Sequence, residues 1–336
     1  MDLHGLLERK EKYTNRYEPK TLVIIPAKGT DIGQYKNFMS IINQDYSNFD
    51  VVVTVDGKDD DAAKTARKAG ISVQVAEGKC NKCSGKSRAI LYTLRKFRNY
   101  DAYVIADSDI YAKKSWLKEL VAPLANNKIG ISTTFPYFVP ANNNIYSSIK
   151  MIWGFVGTSL MKSKTTRFGW GGSLAFRRDL VDSRLMHLLS SSQYSVSDDI
   201  SITKRAREKR MEIAYVDEAA PIVYTKETRS SFFEWANRQT ALTLLGYRSN
   251  LYFGIVYYSA EIALFISGVV LAFFNPLFLL LLLHFSISEA KAFLKAPKKT
   301  PKIFFIVAAM PFLYLYNLLK ASHMQSIEWR GRRYKL

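Results

Sequence analysis

From Tyr252 to Phe274 the chain runs for 23 residues with Glu261 as its only charged residue. As a helix this run is about 34 Å long, enough for a hydrocarbon core of about 30 Å. The rest of the chain has to be arranged around a segment that belongs in a membrane. Asn275-Pro276 breaks the run. A second, shorter run reaches from Leu277 to about Phe293 and carries His284, Glu289 and Lys291. After the basic linker Lys295–Lys302, a third spans Ile303 to Leu319 with Pro311 inside it. Residues 251–336 hold ten Lys/Arg and three acids, Glu261, Glu289 and Glu328. Positive residues favour the cytoplasmic side, so the first two runs are expected to pair as a hairpin. The third is then expected to be re-entrant or interfacial, kinked at Pro311, which keeps Arg330, Arg332 and Arg333 on the linker's side. Three full crossings with an external tail is the competing layout. The N-terminal stretch, MDLHGLLERKEKYTNRYEPK, has no apolar segment long enough for a signal peptide or a span. The leading domain is therefore expected on the cytoplasmic face.

The net charge is +19, from 48 Lys+Arg against 29 Asp+Glu. That excess invites a nucleic-acid reading, but no helix-turn-helix, finger or aromatic RNA-binding pattern accompanies it. A basic domain beside an anionic leaflet accounts for the charge, and no nucleic-acid partner is expected. Apolar residues at 48% and charged ones at 23% exclude a disordered or collagen-like chain. Two cysteines exclude a disulfide scaffold and point to a reducing compartment. Cys80-x-x-Cys83 has zinc-ligand spacing, yet no second pair completes four ligands, so free thiols or an incidental pair are expected. His4, His187, His284 and His323 are scattered, and no Ser/His/Asp pattern suggests acyl transfer.

Ahead of the apolar tail, strands and helices alternate. Thr21–Pro26, Asp50–Asp56, Ile71–Val75 and Ala102–Asp107 are short β-branched runs of the kind buried in parallel sheets. Between them, Tyr35, Phe38, Met39 and Ile42 recur at helical spacing, as do Ile90, Leu91, Leu94 and Phe97. Such alternation predicts a doubly wound, mostly parallel sheet. Ile145–Met161 is apolar but too short and polar-spotted to span; an interfacial helix and a plain core helix fit it equally.

In an open α/β sheet, ligands bind outside the carboxyl ends of the strands. Asp56 and Asp107 each close an apolar strand, and Asp107-Ser108-Asp109 puts two carboxylates one residue apart at a strand exit. Carboxylates there, beside a diphosphate, suit a Mg2+ or Mn2+ ion held partly through substrate phosphate. Either aspartate alone would be an ordinary turn former; the cluster at the ligand edge favours function. Gly85-Lys86 precedes a helix, where Lys86 would meet donor phosphate or stand solvated.

TLVIIPAKG, VVVTVDG, SGKSRAI, YVIADSDI, the glycine-rich FGWGGSLAFRRD and SDDIS follow one another over roughly residues 20–240. In that order they resemble the family 2 inverting glycosyltransferases, and the ending IEWRGRRYKL looks like the ceramide glucosyltransferase branch. The resemblance implies a GT-A (Rossmann-like) fold and sugar transfer from a nucleotide sugar. It implies that Pro26 and Asp56 line the donor's nucleoside, that Asp107 contacts its sugar or ribose, and that Asp109 ligates the metal. It also implies that Gly172 lets backbone approach the sugar, that Arg238 meets the leaving diphosphate, and that Asp199 is the general base. Two positions depart from the branch pattern. Trp235-Ala236-Asn237-Arg238-Gln239 stands where Q/R-x-x-R-W is usual, and Asp198 stands where Glu is common.

The expected layout is a cytosolic GT-A domain over 1–228, an interfacial helix over 229–250, and membrane-embedded helices with a basic tail over 251–336. The expected activity is transfer of a hexose from a UDP-glucose-like donor to a lipid hydroxyl at the bilayer. A polyprenyl-phosphate sugar synthase or a polysaccharide synthase is the alternative enzyme. A non-catalytic scaffold is disfavoured by the presence of Asp56, Asp107, Asp109 and Asp199 together.

Overall fold

The computed structural model describes residues 13, 17–78, 80, 82–246, 248–296 and 299–336. Most of the N-terminal twenty, together with Pro297 and Lys298 of the basic linker, lie outside the described residues. The chain divides into two compact units, Met1–Phe138 with Val156–Tyr224, and Val139–Phe155 with Thr225–Leu336.

In the first unit the order is β1 (Thr21–Pro26), α1 (Gln34–Ile42), β2 (Phe49–Val55), α2 (Asp61–Lys68), β3 (Ser72–Val75), α3 (Gly85–Lys96) and β4 (Ala102–Ala106). There follow β5 (Ile110–Tyr111), α4 (Trp116–Val121), β6 (Ile129–Thr133), β7 (Tyr137–Pro140), and α5 (Ile145–Lys162), within which the unit boundary falls. The remainder is β8 (Ser173–Arg177), α6 (Ser183–Ser190), α7 (Asp198–Glu208), β9 (Glu212–Tyr215) and β10 (Ile222–Thr225). Seven strands form one sheet in the order β3-β2-β1-β4-β8-β6-β9. Its ladders are parallel except where β8 pairs antiparallel with β4 and β6. This is the doubly wound, mostly parallel sheet that the alternation predicted.

Strands covered on both faces have no polar face to show, and this is why β1 and β4 read as unbroken apolar runs. Leu22, Ile24 and Ile105 pack with Ile90 and Leu94 of α3, Leu185 and Leu189 of α6, and Ile202 of α7. The alternate residues Val23 and Ile25 are equally buried, as are Phe38 and Ile41 of α1 and Ala62, Ala63 and Ala66 of α2. Side-chain caps start three of the helices: Asp60 accepts from Ala62 N, Ser84 from Ser87 N, and Asp182 from Leu185 N.

Cys80 and Cys83 form a disulfide, which corrects the expectation of free thiols. The two Cα atoms lie 5.6 Å apart, within bridging range.

The second unit contains the first part of α5, then α8 (Arg229–Gly246), α9 (Ser249–Ala272), α10 (Leu283–Lys295) and α11 (Lys302–Ser322). Three segments are long and apolar enough to cross a membrane by length and composition: Leu251–Ala272, Pro276–Lys295 and Lys302–Ser322. The second is longer than the sequence suggested, because a 3-10 stretch over Pro276–Leu282, begun by the Asn275 side chain accepting from Leu277 N, leads directly into α10. Pro311 lies inside α11. Phe253, Phe273, Phe274, Leu280 and Phe305 are all exposed, an apolar surface that water would not tolerate but hydrocarbon would. The basic C-terminus is a hairpin of β11 (Ser326–Trp329) and β12 (Arg332–Lys335). Both residues of its turn have positive φ, Arg330 at 51° and Gly331 at 73°, the conformation that suits the twist of a two-residue hairpin.

Candidate active site

Asp56 is the first residue beyond β2. Its carboxylate accepts from the Arg88 guanidinium and lies 4.0 Å from Lys28 Nζ. Lys28 comes from the turn after β1 and Arg88 from α3, so the carboxylate is held between two neighbouring strand exits. Pro26 ends β1 beside it, and Ala27 N continues the ladder to Thr54 O at 3.0 Å. Asp107 is the first residue beyond β4; its N–H donates to Gly172 O at 3.1 Å. The turn that follows is fastened from α1 and its approach. Ser108 Oγ donates to Asp31 Oδ2 at 2.6 Å, and Asn37 Nδ2 donates to Ser108 O at 3.3 Å. Asp109 sits in that turn, partly exposed.

Lys86 joins the pieces. Its Nζ lies 2.7 Å from Asp107 Oδ1 and 3.5 Å from Asp198 Oδ2, and it donates to Gly171 O at 3.0 Å. Burial works against its charge, but the Asp107 and Asp198 carboxylates, with Asp199 behind them, outweigh that and hold it above the usual lysine range. Asp198 is 3% exposed, and its Oδ2 has no hydrogen-bond donor among the described residues. Burial, foremost, with the like charges of Asp199 and Asp107, pushes its carboxyl up to about 7 against the pull of Lys86. Asp199, next along the first turn of α7, is more open. Its Oδ1 accepts from Ser197 Oγ and from Ile200 N.

The glycine-rich turn before β8 is close-fitting. Gly169 N donates to Thr203 Oγ1 and Trp170 N to Thr133 Oγ1, each at 2.9 Å. A Cβ on Gly171 would lie 2.5 Å from Asp198 Oδ2 and 3.1 Å from Lys86 Nζ, and one on Gly172 would lie 2.1 Å from the Trp170 ring. Glycine is required here for space.

Asp56, Lys86, Asp107, Asp109, Gly172 and Asp199 thus share the carboxyl edge of one sheet. Lys86, expected to face phosphate or solvent, instead hydrogen-bonds Asp107 and Gly171 and lies within ion-pair distance of Asp198. Arg238 lies in the other unit, on α8, 3.7 Å from Glu234 and 5.5 Å over the Trp329 ring of the C-terminal hairpin. Sequence reasoning missed Lys28 and Arg88, and, though it named Asp198, it missed that residue's burial against Lys86. Lys86 and Arg88 are two apart on α3, about 200° around the helix, so no shared face announces them; each serves a different strand exit. Among the described residues no group of three or more His, Cys, Asp or Glu could hold a metal ion. Asp109 supplies a hard oxygen donor of the kind Mg2+ or Mn2+ takes, and such an ion would need the oxygens of a bound phosphate to complete its shell.

No curated protein matches the sequence. Among solved structures, a mannosyltransferase from Pyrobaculum calidifontis, in complex with GDP-mannose and Mn2+, is similar at a TM-score of 0.54 and 16% identity, covering 95% of this chain and 78% of that one. Glucosyl-3-phosphoglycerate synthase from Mycobacterium tuberculosis, in complex with Mn2+ and UDP-glucose, has a TM-score of 0.48 and 17% identity over 70% of this chain and 84% of that one. The fold is GT-A. Motif order pointed to family 2, whereas the profile that matches residues 2–336 is that of glycosyl transferase family 21. With that match running almost the whole length of the sequence, through the strand-exit aspartates and the apolar helices alike, the chain belongs to glycosyl transferase family 21.

Proposed function

We propose that this glycosyltransferase is anchored in the membrane and moves a hexose, with inversion, from a nucleotide sugar to a lipid hydroxyl. The observation that carries the reading is the carboxyl edge of the sheet, where five aspartates (56, 107, 109, 198 and 199) gather in the unit followed by three apolar helices. The lipid hydroxyl would be of the kind glucosylated by ceramide glucosyltransferases, whose C-terminal sequence this chain resembles. The catalytic unit would face the cytoplasm.

In this reading Pro26 and Asp56 line the nucleoside, with Lys28 and Arg88 fixing the Asp56 carboxylate. Asp107, oriented by Lys86, hydrogen-bonds the sugar or ribose, and the backbone at Gly172 approaches the sugar. Asp109 would hold Mg2+ or Mn2+; when bound, the ion offsets negative charge on the leaving diphosphate, a task in which Arg238 is proposed to share. The greater exposure of Asp199 supports it as general base over Asp198, which is buried against Lys86. Asp199 takes the acceptor's hydroxyl proton while the acceptor oxygen bonds to the anomeric carbon and the bond to the diphosphate breaks on the opposite face.

The test is to incubate the purified full chain with a panel of nucleotide sugars, Mg2+ or Mn2+, and a total lipid extract. Mass spectrometry should show a new glycolipid with an added hexose on a hydroxyl. Sugar found only on polyprenyl phosphate, or on no lipid at all, overturns the proposed acceptor.

A further inference from the structure

At the other edge of the same sheet lies an open cleft of about 660 Å3. Arg95 and Arg98, at and just past the end of α3, Arg178, directly after β8, and His187 of α6 surround it. Tyr103 and Met186 contribute apolar wall. Strand register fixes the position: Ala102 at the start of β4 pairs with Arg177 at the end of β8, while Ala106 pairs with Ser173 beside the catalytic turn. From Tyr103 to Asp107 the strand advances about 13 Å. This cleft is therefore not part of the edge already described.

The charge in the cleft is unbalanced. Four arginines elsewhere in the unit are neutralised at short range, Arg88 by Asp56, Arg177 by Asp179, Arg184 by Glu208 and Arg205 by Asp182, and Arg67 and Arg167 donate to backbone carbonyls. Among the described residues, no carboxylate lies within ion-pair distance of Arg95, Arg98 or Arg178. Arg98 Nε donates to Arg95 O at 3.0 Å, which steadies the side chain; among the described residues its two terminal nitrogens make no hydrogen bond and can form a fork. The acid on the rim, Asp182, is already bound by Arg205 and has Lys209 3.7 Å away. Guanidiniums lining one cleft in this way suit the paired oxygens of a phosphate group, which arginine binds bidentately. The apolar wall suits the remainder of a phosphorylated organic molecule.

We propose that this cleft is a second anion site, taking a phosphate-bearing ligand independently of the donor site. The full chain in neutral detergent is titrated with inorganic pyrophosphate in the presence of EDTA, with binding followed by calorimetry. Wild type and Lys86→Met should show the same saturable event. Arg98→Gln/Arg178→Gln should bind about tenfold or more weakly, as expected on losing charge-assisted bonds. Both arginines are exposed, so the thermal midpoint of the double variant should match wild type. To separate a soluble source from a lipid headgroup, the titration is repeated in phosphatidylcholine nanodiscs with and without phosphatidic acid. Weakened pyrophosphate binding in the anionic discs identifies the headgroup; unchanged binding identifies a soluble phosphate compound. Loss of binding in Lys86→Met with retention in the arginine double variant, or no saturable binding by wild type, overturns the proposal.

Discussion

Asp198 and Asp199 are adjacent in sequence and differ in almost everything else, since the first turn of α7 points one into the protein and the other toward the open edge. The Asp198 carboxyl, pushed up to about 7 from an ordinary 3.8, holds its proton more tightly folded than unfolded. Such a group stabilises the fold fully below its unfolded value, and the contribution is lost as pH rises through about 7. Wild-type denaturation midpoints should therefore fall between roughly pH 4 and pH 8 in part through Asp198, and Asp198→Asn should flatten that decline. Parallel profiles for the two proteins would remove Asp198 as its source. Asp199→Asn should keep donor affinity and lower turnover by about 10²–10⁴-fold, the usual worth of positioned acid–base catalysis. Asp109→Asn should instead weaken metal-dependent nucleotide binding, because an amide is a poor ligand for a hard cation. Calorimetry with and without Mn2+, beside turnover, separates the two. Wild-type turnover in Asp199→Asn would falsify its role as base and favour a phosphate acceptor, which needs none.

At the scale of elements, the apolar helices hold polar contacts that composition cannot reveal. His284 Nε2 of α10 lies 2.8 Å from Glu261 Oε1 of α9, and the Glu261 side chain is largely buried. His284→Leu leaves that carboxylate with Tyr257 but without its imidazole partner and should cost about 3–5 kcal/mol, whereas adding Glu261→Gln should recover most of the loss. Thermal unfolding in micelles reads both; no recovery in the double variant means the pair is not what couples the helices. Sequence showed the two residues separately, as isolated interruptions of apolar runs. The same division holds throughout. Strands such as β1 and helices such as α1 were legible because burial on a regular period leaves a pattern within one segment. Asp56 and Asp107 were legible because each terminates such a pattern. The Arg88–Asp56 pair, the Lys86–Asp198 contact and the docking of Arg238 on Trp329 join segments with no common period. They became visible only once the chain was folded. The C-terminal hairpin lies between these cases: Arg330-Gly331 is a turn signal, hidden in a stretch that reads first as basic charge.

For the whole molecule, the open question of layout is which side each part of the chain occupies. If α9 and α10 cross and return while α11 stays re-entrant, the catalytic unit and the C-terminal hairpin share one face. In a Cys80→Ser/Cys83→Ser background, Lys58→Cys and Lys335→Cys should then react with an impermeant thiol reagent from the same side of sealed vesicles. Labelling from opposite sides establishes three full crossings. The antiparallel strand β8 bears on a different matter, the lengths this chain can tolerate. Its five residues reach from the glycine-rich turn to Arg178, paired on both sides, with Leu174 and Phe176 facing the core and Ser173 receiving the Trp116 indole N–H at 2.8 Å. One residue more or fewer would turn every one of those side chains to the opposite face. Insertions and deletions accumulated over descent must then fall before Gly169 or after Arg178, and the segment between them should keep its length however far the rest of the sequence drifts.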